Sequence, residues 1–169
     1  MTRSAKIMLL GDIGVGKSSL AKRLVFDRFD SEYKTTIGVD VLTYDIHLPE
    51  LADREPLRLV IWDTDGDFGQ AIFSTMYVTG AAGALVVSDV TRTHTVEKMG
   101  GLITAFEDHL PGRPVMGVLN KIDLLSPEQT RPKLPGHDGS HIISASAANG
   151  EGVMAAFKSI AEAVVRRGL

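Results

Sequence analysis

The chain has 169 residues, of which 44% are hydrophobic and 23% are charged, and its formal net charge is −3. This length suits one well-buried domain, so we expect a single domain over residues 1–169. The slight excess of acidic residues gives no basic field that would favour nucleic acid, and we expect no nucleic-acid partner. Because the sequence contains no cysteine, disulfides, thiolate metal sites and a catalytic thiol are excluded.

Six short apolar runs predict six strands. The runs at 83–90 and 115–120 are apolar throughout, which is typical of central parallel strands covered on both faces. Residues 41–48 alternate between apolar and polar instead, and this pattern predicts an edge strand paired antiparallel with 57–62. The predicted strands are 6–10, 41–48, 57–62, 83–90, 115–120 and 141–146.

Amphipathic stretches between these runs predict three helices, at 17–26, about 93–109 and 152–167. Alternating strands and helices imply a doubly wound α/β fold, with a six-stranded, mostly parallel sheet, one antiparallel edge strand and helices on both faces. The proline-rich segment 126–139 predicts a loop or a single turn, because each proline removes a donor and clashes with a continuing helix. Gly100 and Gly101 weaken the middle helix.

The segment GDIGVGKSS starts at Gly11, directly after the first strand and directly before the first helix. It fits the pattern Gly-x-x-x-x-Gly-Lys-Ser of a phosphate-binding loop, in which backbone amides and a helix N-terminus face the phosphates. Lys17 can reach the β- and γ-phosphates, and Ser18 can hold Mg²⁺. A plain glycine-rich turn is the alternative, and the flanking strand and helix disfavour it. The expected phosphate-binding residues are Asp12, Ile13, Gly14, Val15, Gly16, Lys17, Ser18 and Ser19.

The segment NKID, residues 120–123, ends an apolar strand, and ligands bind at the carboxyl ends of strands in this architecture. The carboxylate of Asp123 can accept two hydrogen bonds from the N1–H and the exocyclic amine of guanine, whereas adenine lacks this donor pair. Taken alone, so short a motif is more often an ordinary loop. Because it follows a phosphate loop at a suitable distance, the guanine-binding interpretation is favoured.

Three further segments occur in the same order as in small GTPases. They are YKTTIGVD (33–40), WDTDG (62–66) and SAANGEGV (146–153). With these five motifs the chain resembles the Ras superfamily over nearly its whole length, and its pattern is nearest to the Rab branch. The resemblance implies a P-loop fold and a guanine-nucleotide-dependent molecular switch that binds GTP or GDP with Mg²⁺ and hydrolyses GTP.

The resemblance also implies roles around the phosphates. Thr36 would coordinate Mg²⁺ through its hydroxyl, together with Ser18, and Asp63 would bind the same ion through a water. Gly66 would donate its amide to the γ-phosphate, which requires a close approach of the backbone. When the γ-phosphate leaves, Thr36 and Gly66 would release the two switch segments that they hold.

Around the base, the resemblance implies a second set of contacts. Phe29 would lie against the guanine face and Tyr33 would cover the phosphates, although both could be ordinary loop aromatics. Lys121 would stack its aliphatic stem on the base, and Asn120 would tie the loops together. The loop whose backbone would contact the guanine oxygen contains Ser146, Ala147 and Ala148.

The second switch departs from the family at Asp67, where a glutamine normally orients the attacking water. Aspartate is shorter, lacks the amide donor and brings negative charge towards the γ-phosphate, so we expect slow intrinsic hydrolysis. Ile13 adds bulk near the same water. Gln70 could substitute for the glutamine only if the second switch were rearranged. A partner that contributes an arginine could restore about 10³- to 10⁵-fold in rate.

Two interpretations of function stay open. The favoured one is a working switch, whose effector, exchange factor and GTPase-activating protein bind through residues of about 30–45 and 63–78. The alternative is a hydrolysis-impaired, GTP-loaded scaffold or interaction module, because the binding motifs are intact and only the hydrolysis position is altered. An adenine-nucleotide phosphotransferase is disfavoured by NKID and by the lack of an arginine-rich lid.

The ends of the sequence offer no lipid attachment site. There is no prenylation box and no Met-Gly start, and the apolar run after Lys6 is too short for a signal sequence or a membrane span. We therefore expect a cytoplasmic protein without a direct membrane anchor, recruited to membranes only through a partner. The alternatives are a truncated C-terminus and a soluble small GTPase, for example a prokaryotic one.

Overall fold

The computed structural model describes residues 2–32, 34–52, 55–129, 131–134, 136 and 139–168. One six-stranded sheet in the order β2-β3-β1-β4-β5-β6 forms its centre. Strand β2 pairs antiparallel with β3, and the other four neighbouring pairs are parallel, which confirms the predicted mixed sheet. The strands are β1 (Arg3–Gly11), β2 (Val39–Ile46), β3 (Leu57–Thr64), β4 (Gly83–Asp89), β5 (Val115–Asn120) and β6 (Ile142–Ser144).

Helices cover both faces of the sheet, as predicted. Strand β1 shows the division, because successive side chains of a strand point to opposite faces. Ile7 and Leu9 pack in one buried cluster with α1 and α3, whereas Met8 and Leu10 pack in a second cluster with α2. The helices are α1 (Lys17–Phe26), α2 (Thr93–His109) and α3 (Val153–Arg167).

Three differences from the sequence prediction have local causes. Strand β2 begins two residues earlier than predicted because Val39 pairs with Thr64 at the end of β3. Strand β6 is shorter because the chain closes a tight loop after it, in which the Ser146 amide donates to the Glu151 carbonyl at 2.8 Å. The prediction contained no helix in the second switch, but the structure has 3₁₀ turns over Gly66–Ser74, interrupted by a kink at Gly69, and 3₁₀ helices at Met76–Val78 and Ile122–Leu124.

Helix α2 runs through both of its internal glycines without a break. A Cβ at Gly100 would lie 3.0 Å from Cδ1 of Leu134, a buried residue of the proline-rich segment. The missing side chain therefore lets that segment pack closely on the helix. The described residues of 126–139 contain neither helix nor strand, as predicted.

The sheet register brings several strand ends to one edge. Gly11 at the end of β1 pairs with Val87 of β4, and Asp89 at the end of β4 pairs with Asn120 at the end of β5. The loops that carry the predicted phosphate and base motifs follow these strands, so they lie at the same edge of the sheet. None of the helices in the described parts of the chain is long and apolar enough to cross a membrane.

Candidate functional site

A cavity of about 340 Å³ opens at this edge of the sheet. It is lined by the phosphate loop, residues 28–32, 34–36 and 64–66, and the loops after β5 and β6. Most of the predicted site residues therefore meet in one space. Those that line the cavity are Ile13, Gly14, Gly16, Lys17, Ser18, Ser19, Phe29, Thr36, Gly66, Asn120, Lys121, Asp123, Ala147 and Ala148.

Six further predicted residues that the structure describes do not line the cavity. Four of them lie behind its wall and hold lining residues by hydrogen bonds: Asp12, Val15, Asp63 and Ser146. Asp67 and Gln70 are exposed outside it. Tyr33 lies outside the described residues. Three basic residues that the prediction did not include also line the cavity: Lys22, Arg28 and Lys34.

Lys17 is held at the phosphate loop by backbone carbonyls. Its Nζ donates to the Gly11 carbonyl at 2.8 Å and to the Asp12 carbonyl at 2.9 Å, and its side chain is buried. Burial lowers the pKa of Lys17 to about 8, although the nearby carboxylates of Asp63, Asp12 and Asp65 oppose this shift. The ammonium therefore lies in a partly dehydrated position, where a phosphate would meet little competition from water.

Asn120 joins the phosphate loop to the loop after β6. Its buried Nδ2 donates to the Val15 carbonyl at 2.9 Å, and its Oδ1 accepts from the Ala147 amide at 3.2 Å. Gly16 makes this approach feasible, because a Cβ there would lie 2.3 Å from Asn120 Nδ2. With a φ of 99°, Gly16 also adopts a left-handed backbone that favours glycine.

The loop after β6 also fixes the carboxylate of Asp123. The buried Ser146 Oγ donates to Asp123 Oδ1 at 2.7 Å and accepts from the Asn149 amide at 3.2 Å. Helix α1 supports the same loop, since Arg23 donates to the carbonyls of Ala147 and Ala148 at 2.8 and 2.5 Å. Arg23 was not predicted, because the sequence motif does not include it.

Three side-chain oxygen atoms form a cluster around Ser18. The Ser18 Oγ is 2.8 Å from Thr36 Oγ1 and donates a hydrogen bond to Asp63 Oδ2. Asp63 is 1% exposed, and burial raises the pKa of its carboxyl group. Among the described residues none donates a hydrogen bond to its buried Oδ1. Hydroxyl and carboxylate oxygens are the ligands that Mg²⁺ prefers, and the unpaired Oδ1 could accept from a metal-bound water, so this cluster fits the ion.

The second switch contacts the phosphate loop at Gly66. A Cβ at this residue would lie 2.5 Å from the Ile13 nitrogen, so only glycine fits this approach. Asp65 joins the two switch segments, because its amide donates to the Gly38 carbonyl at 2.8 Å. Its Oδ1 accepts from the Asp67 amide at 2.9 Å and thereby begins the 3₁₀ helix.

Gln70 lies on the far side of this segment. Its Nε2 is 3.4 Å from the position that a Cβ on Gly101 would take, so the side chain packs near α2. The rearrangement that would bring Gln70 to the cavity is therefore not present in this structure.

Sequence reasoning missed Asp89, which ends β4 with a side chain that is 3% exposed. Its Oδ1 accepts from the amide and the hydroxyl of Thr91, and its Oδ2 accepts from Arg92 Nε at 3.1 Å and pairs with Lys121 Nζ at 2.9 Å. Burial alone would raise the pKa of Asp89, but the bonds from Thr91 and Lys121 lower it to about 2. Its position beside Asn120, at the carboxyl end of an apolar strand, was the signal that could have identified it.

Comparison with known proteins gives a match along nearly the whole chain. Residues 6–166 match the Ras family. Ras-related protein Rab-18 of Caenorhabditis briggsae is 35% identical over 166 residues, which cover 95% of this chain and 80% of that protein. Ras-related proteins Rab11E of Lotus japonicus and RABA1g of Arabidopsis thaliana are 40% and 41% identical over 120 residues. Those 120 residues cover 70% of this chain but only about half of either relative, 53% and 54%.

The low pKa of Asp89 predicts how stability depends on pH. Because this pKa is about 2 in the folded chain and ordinarily about 3.9 when unfolded, the carboxylate stabilises the fold above about pH 4. This contribution is lost as the pH falls towards 2. Urea unfolding of wild type and Asp89→Asn should therefore differ most above about pH 5 and differ less at each lower pH. Asp108→Asn, on the exposed side of α2, is the control and should match wild type throughout. A difference between wild type and Asp89→Asn that does not change with pH would contradict this prediction.

Proposed function

The chain belongs to the Ras family of small GTPases and is Rab-like, and we propose that it is a guanine-nucleotide switch that binds GTP or GDP with Mg²⁺ and hydrolyses GTP. One observation carries the proposal. The phosphate loop, the hydroxyl-bearing residues Ser18 and Thr36, and Asp123 line a single cavity, with Asp63 bonded to Ser18 behind its wall. A nucleotide with its base at one end and its phosphates at the other matches this arrangement.

At the phosphate end, Lys17 and the backbone amides of the loop would bind the β- and γ-phosphates. Ser18 and Thr36 would hold Mg²⁺ directly and Asp63 through a water, and the ion would neutralise charge on the two phosphates. The contact between Ser18 and Thr36 supports this assignment, because it brings the first switch segment to the phosphate loop. Loss of the γ-phosphate would weaken that hold and free the segment.

At the base end, Asp123 would accept the N1–H and the exocyclic amine of guanine. Ser146 supports this role, since its bond to Oδ1 restrains the carboxylate at the cavity wall. Phe29, which is half exposed at the same cavity, would cover one face of the base, and the stem of Lys121 would cover the other. Restrained donors and acceptors of this kind discriminate well between bases, because a wrong base leaves them unpaired.

Effectors and regulators would bind through the two switch segments, at about 30–45 and 63–78. Large apolar side chains support this assignment, because Ile37 and Met76 are each 87% exposed and Val41 and Tyr77 are partly exposed beside them in sequence. Exposed apolar groups of this size are typical of protein interaction sites.

Intrinsic hydrolysis would be slow. Asp67 has no side-chain amide to orient water and is exposed outside the cavity, while Gln70 packs near α2. Ile13 lines the cavity, and its bulk would crowd the attacking water. The same observations favour a second candidate, a GTP-loaded scaffold that relies on a partner for any turnover.

The base assignment is tested by Asp123→Asn. An asparagine amide can donate to the C2 oxygen of xanthine but cannot accept both guanine donors, so the preference for GDP over XDP should fall by about 10²-fold or more. Competition binding with the two nucleotides measures it. Leu124→Ala, a neighbouring cavity residue without a polar group, should keep the wild-type preference. Unchanged guanine selectivity in Asp123→Asn would refute the role.

The hydrolysis assignment is tested by Asp67→Gln. Supplying the amide and removing the charge should raise the single-turnover rate of GTP hydrolysis by about tenfold, which corresponds to about 1.4 kcal/mol of transition-state stabilisation. Gln70→Ala should leave the rate unchanged, because Gln70 packs near α2. A wild-type rate equal to or above that of Asp67→Gln would show that Asp67 does not impair the chemistry.

The metal assignment is tested by the Mg²⁺ dependence of GDP release. EDTA should accelerate release from wild type, because the ion stabilises the bound state. In Asp63→Asn, the Mg²⁺ concentration that slows release by half should rise about 10- to 100-fold, since the group holding the metal-bound water loses its charge. The exposed Asp108→Asn variant should behave as wild type. If Asp63→Asn kept the wild-type Mg²⁺ dependence, Asp63 would have no part in metal binding.

A further inference from the structure

The carbonyls of Ile13 and Gly14 are bound from outside the phosphate loop. Arg92 Nη2, from the start of α2, donates to the Ile13 carbonyl at 2.7 Å. Lys121 Nζ, from the loop after β5, donates to the Gly14 carbonyl at 2.7 Å. Two consecutive peptide units of the loop are thus oriented by cations that belong to two other segments.

Both cations pair with the same buried carboxylate, that of Asp89. Asp89 Oδ2 lies 2.9 Å from Lys121 Nζ and 3.1 Å from Arg92 Nε. Hydrogen bonds between charged groups are stronger than neutral ones, and they gain further when buried, as the Asp89 side chain is. The carboxylate therefore restrains both cations at the positions from which they reach the loop.

The backbone of Lys121 is consistent with such a restraint. Its φ of 68° lies in the left-handed region, which is unfavourable for a residue with a side chain. Neighbouring contacts must therefore hold it, and the bonds of its Nζ to Gly14 and Asp89 are two of them. By contrast, the Asp12 side chain pairs with Lys98, whose exposed ammonium lies in water, where an ion pair contributes less.

We propose that Asp89 is a positioning residue for nucleotide retention: it holds Arg92 and Lys121 on the carbonyls of Ile13 and Gly14, and so keeps the phosphate loop and the base loop in the geometry that retains GDP. The inference rests on the proposed binding of guanine nucleotide. The Asp89 side chain does not line the cavity, and its carboxylate bonds to Thr91, Arg92 and Lys121, so it acts on the loops through its two cations.

Asp89→Asn is the informative substitution. It keeps the size of the side chain and the oxygen that accepts from Thr91, but it presents an amide to Arg92 and Lys121 where they now meet a charge. The full chain is loaded with N-methylanthraniloyl-GDP and Mg²⁺, and the release rate is measured after addition of excess GDP. Release should become about tenfold faster or more, while the association rate changes little.

The two cations provide the readout that distinguishes positioning from general destabilisation. If Asp89 acts through them, Asp89→Asn should change release less than about twofold in a chain that already carries Arg92→Ala and Lys121→Met, because coupled residues are not additive. Glu162→Gln is the matched control, since Glu162 also pairs with two basic residues, Lys158 and Arg166, but on the surface of α3. It should release GDP at the wild-type rate.

Each outcome is decisive. Equal release rates of wild type and Asp89→Asn would overturn the inference and leave the proposed function intact. An equally large effect of Asp89→Asn in the doubly substituted background would also overturn it, because Asp89 would then act by another route. If Asp89→Asn does not fold, Arg92→Ala alone must accelerate release, and an unchanged rate would refute the inference. Failure of wild type to retain the GDP analogue would overturn the proposed function and this inference together.

Discussion

The backbone of the phosphate loop must present its amides to the cavity, and this is feasible only because every carbonyl from Gly11 to Gly16 has a donor. Lys17 donates to the carbonyls of Gly11 and Asp12. Asn120 donates to the Val15 carbonyl, and at the start of α1 the Leu20 amide donates to the Gly16 carbonyl. The carbonyls of residues 13 and 14 are bound by the two cations that share the buried carboxylate at the end of β4. Because buried carbonyls need partners, these donors fix the curvature of the loop, and the rest of the site is arranged around it.

Several of these donors are cations, and burying a cation costs free energy unless a carboxylate lies nearby. The neighbouring carboxylates offset this cost to different extents. In the segment WDTDGDFGQ, Asp63 is buried beside Ser18 and lowers the cost of the buried Lys17 ammonium. The Asp65 side chain instead accepts a hydrogen bond from a backbone amide at the start of a 3₁₀ helix, and Asp67 is exposed. Three similar residues within five positions therefore have different surroundings: Asp63 is buried near the Lys17 ammonium, Asp65 caps a 3₁₀ helix, and Asp67 is exposed to solvent. Asp67 thus lies exposed outside the cavity at the position where small GTPases normally have the glutamine that orients the attacking water.

The sequence was sufficient for features that depend on local pattern. Apolar runs located all six strands, the alternation at 41–48 identified the antiparallel edge, and the motif spacing located the cavity residues. It was insufficient for features that depend on contacts between distant segments. The contacts of Asp89, Arg92 and Arg23 became visible only in the fold, which brings these residues to the loops that they hold. The 3₁₀ helices were missed because such short helices show no clear hydrophobic period.

Ile13 contacts both the second switch, at Gly66, and Arg92 at the start of α2. A Cβ on Gly66 would overlap the Ile13 nitrogen, and the Ile13 carbonyl accepts a hydrogen bond from Arg92. Gly66 follows Asp65, whose amide holds Gly38 in the first switch segment. A displacement of Ile13 therefore acts on the second switch by direct backbone contact and on the first through one further hydrogen bond. Through this contiguous path, the proposed hold of Arg92 on the Ile13 carbonyl would couple nucleotide retention to the conformation of both switch segments.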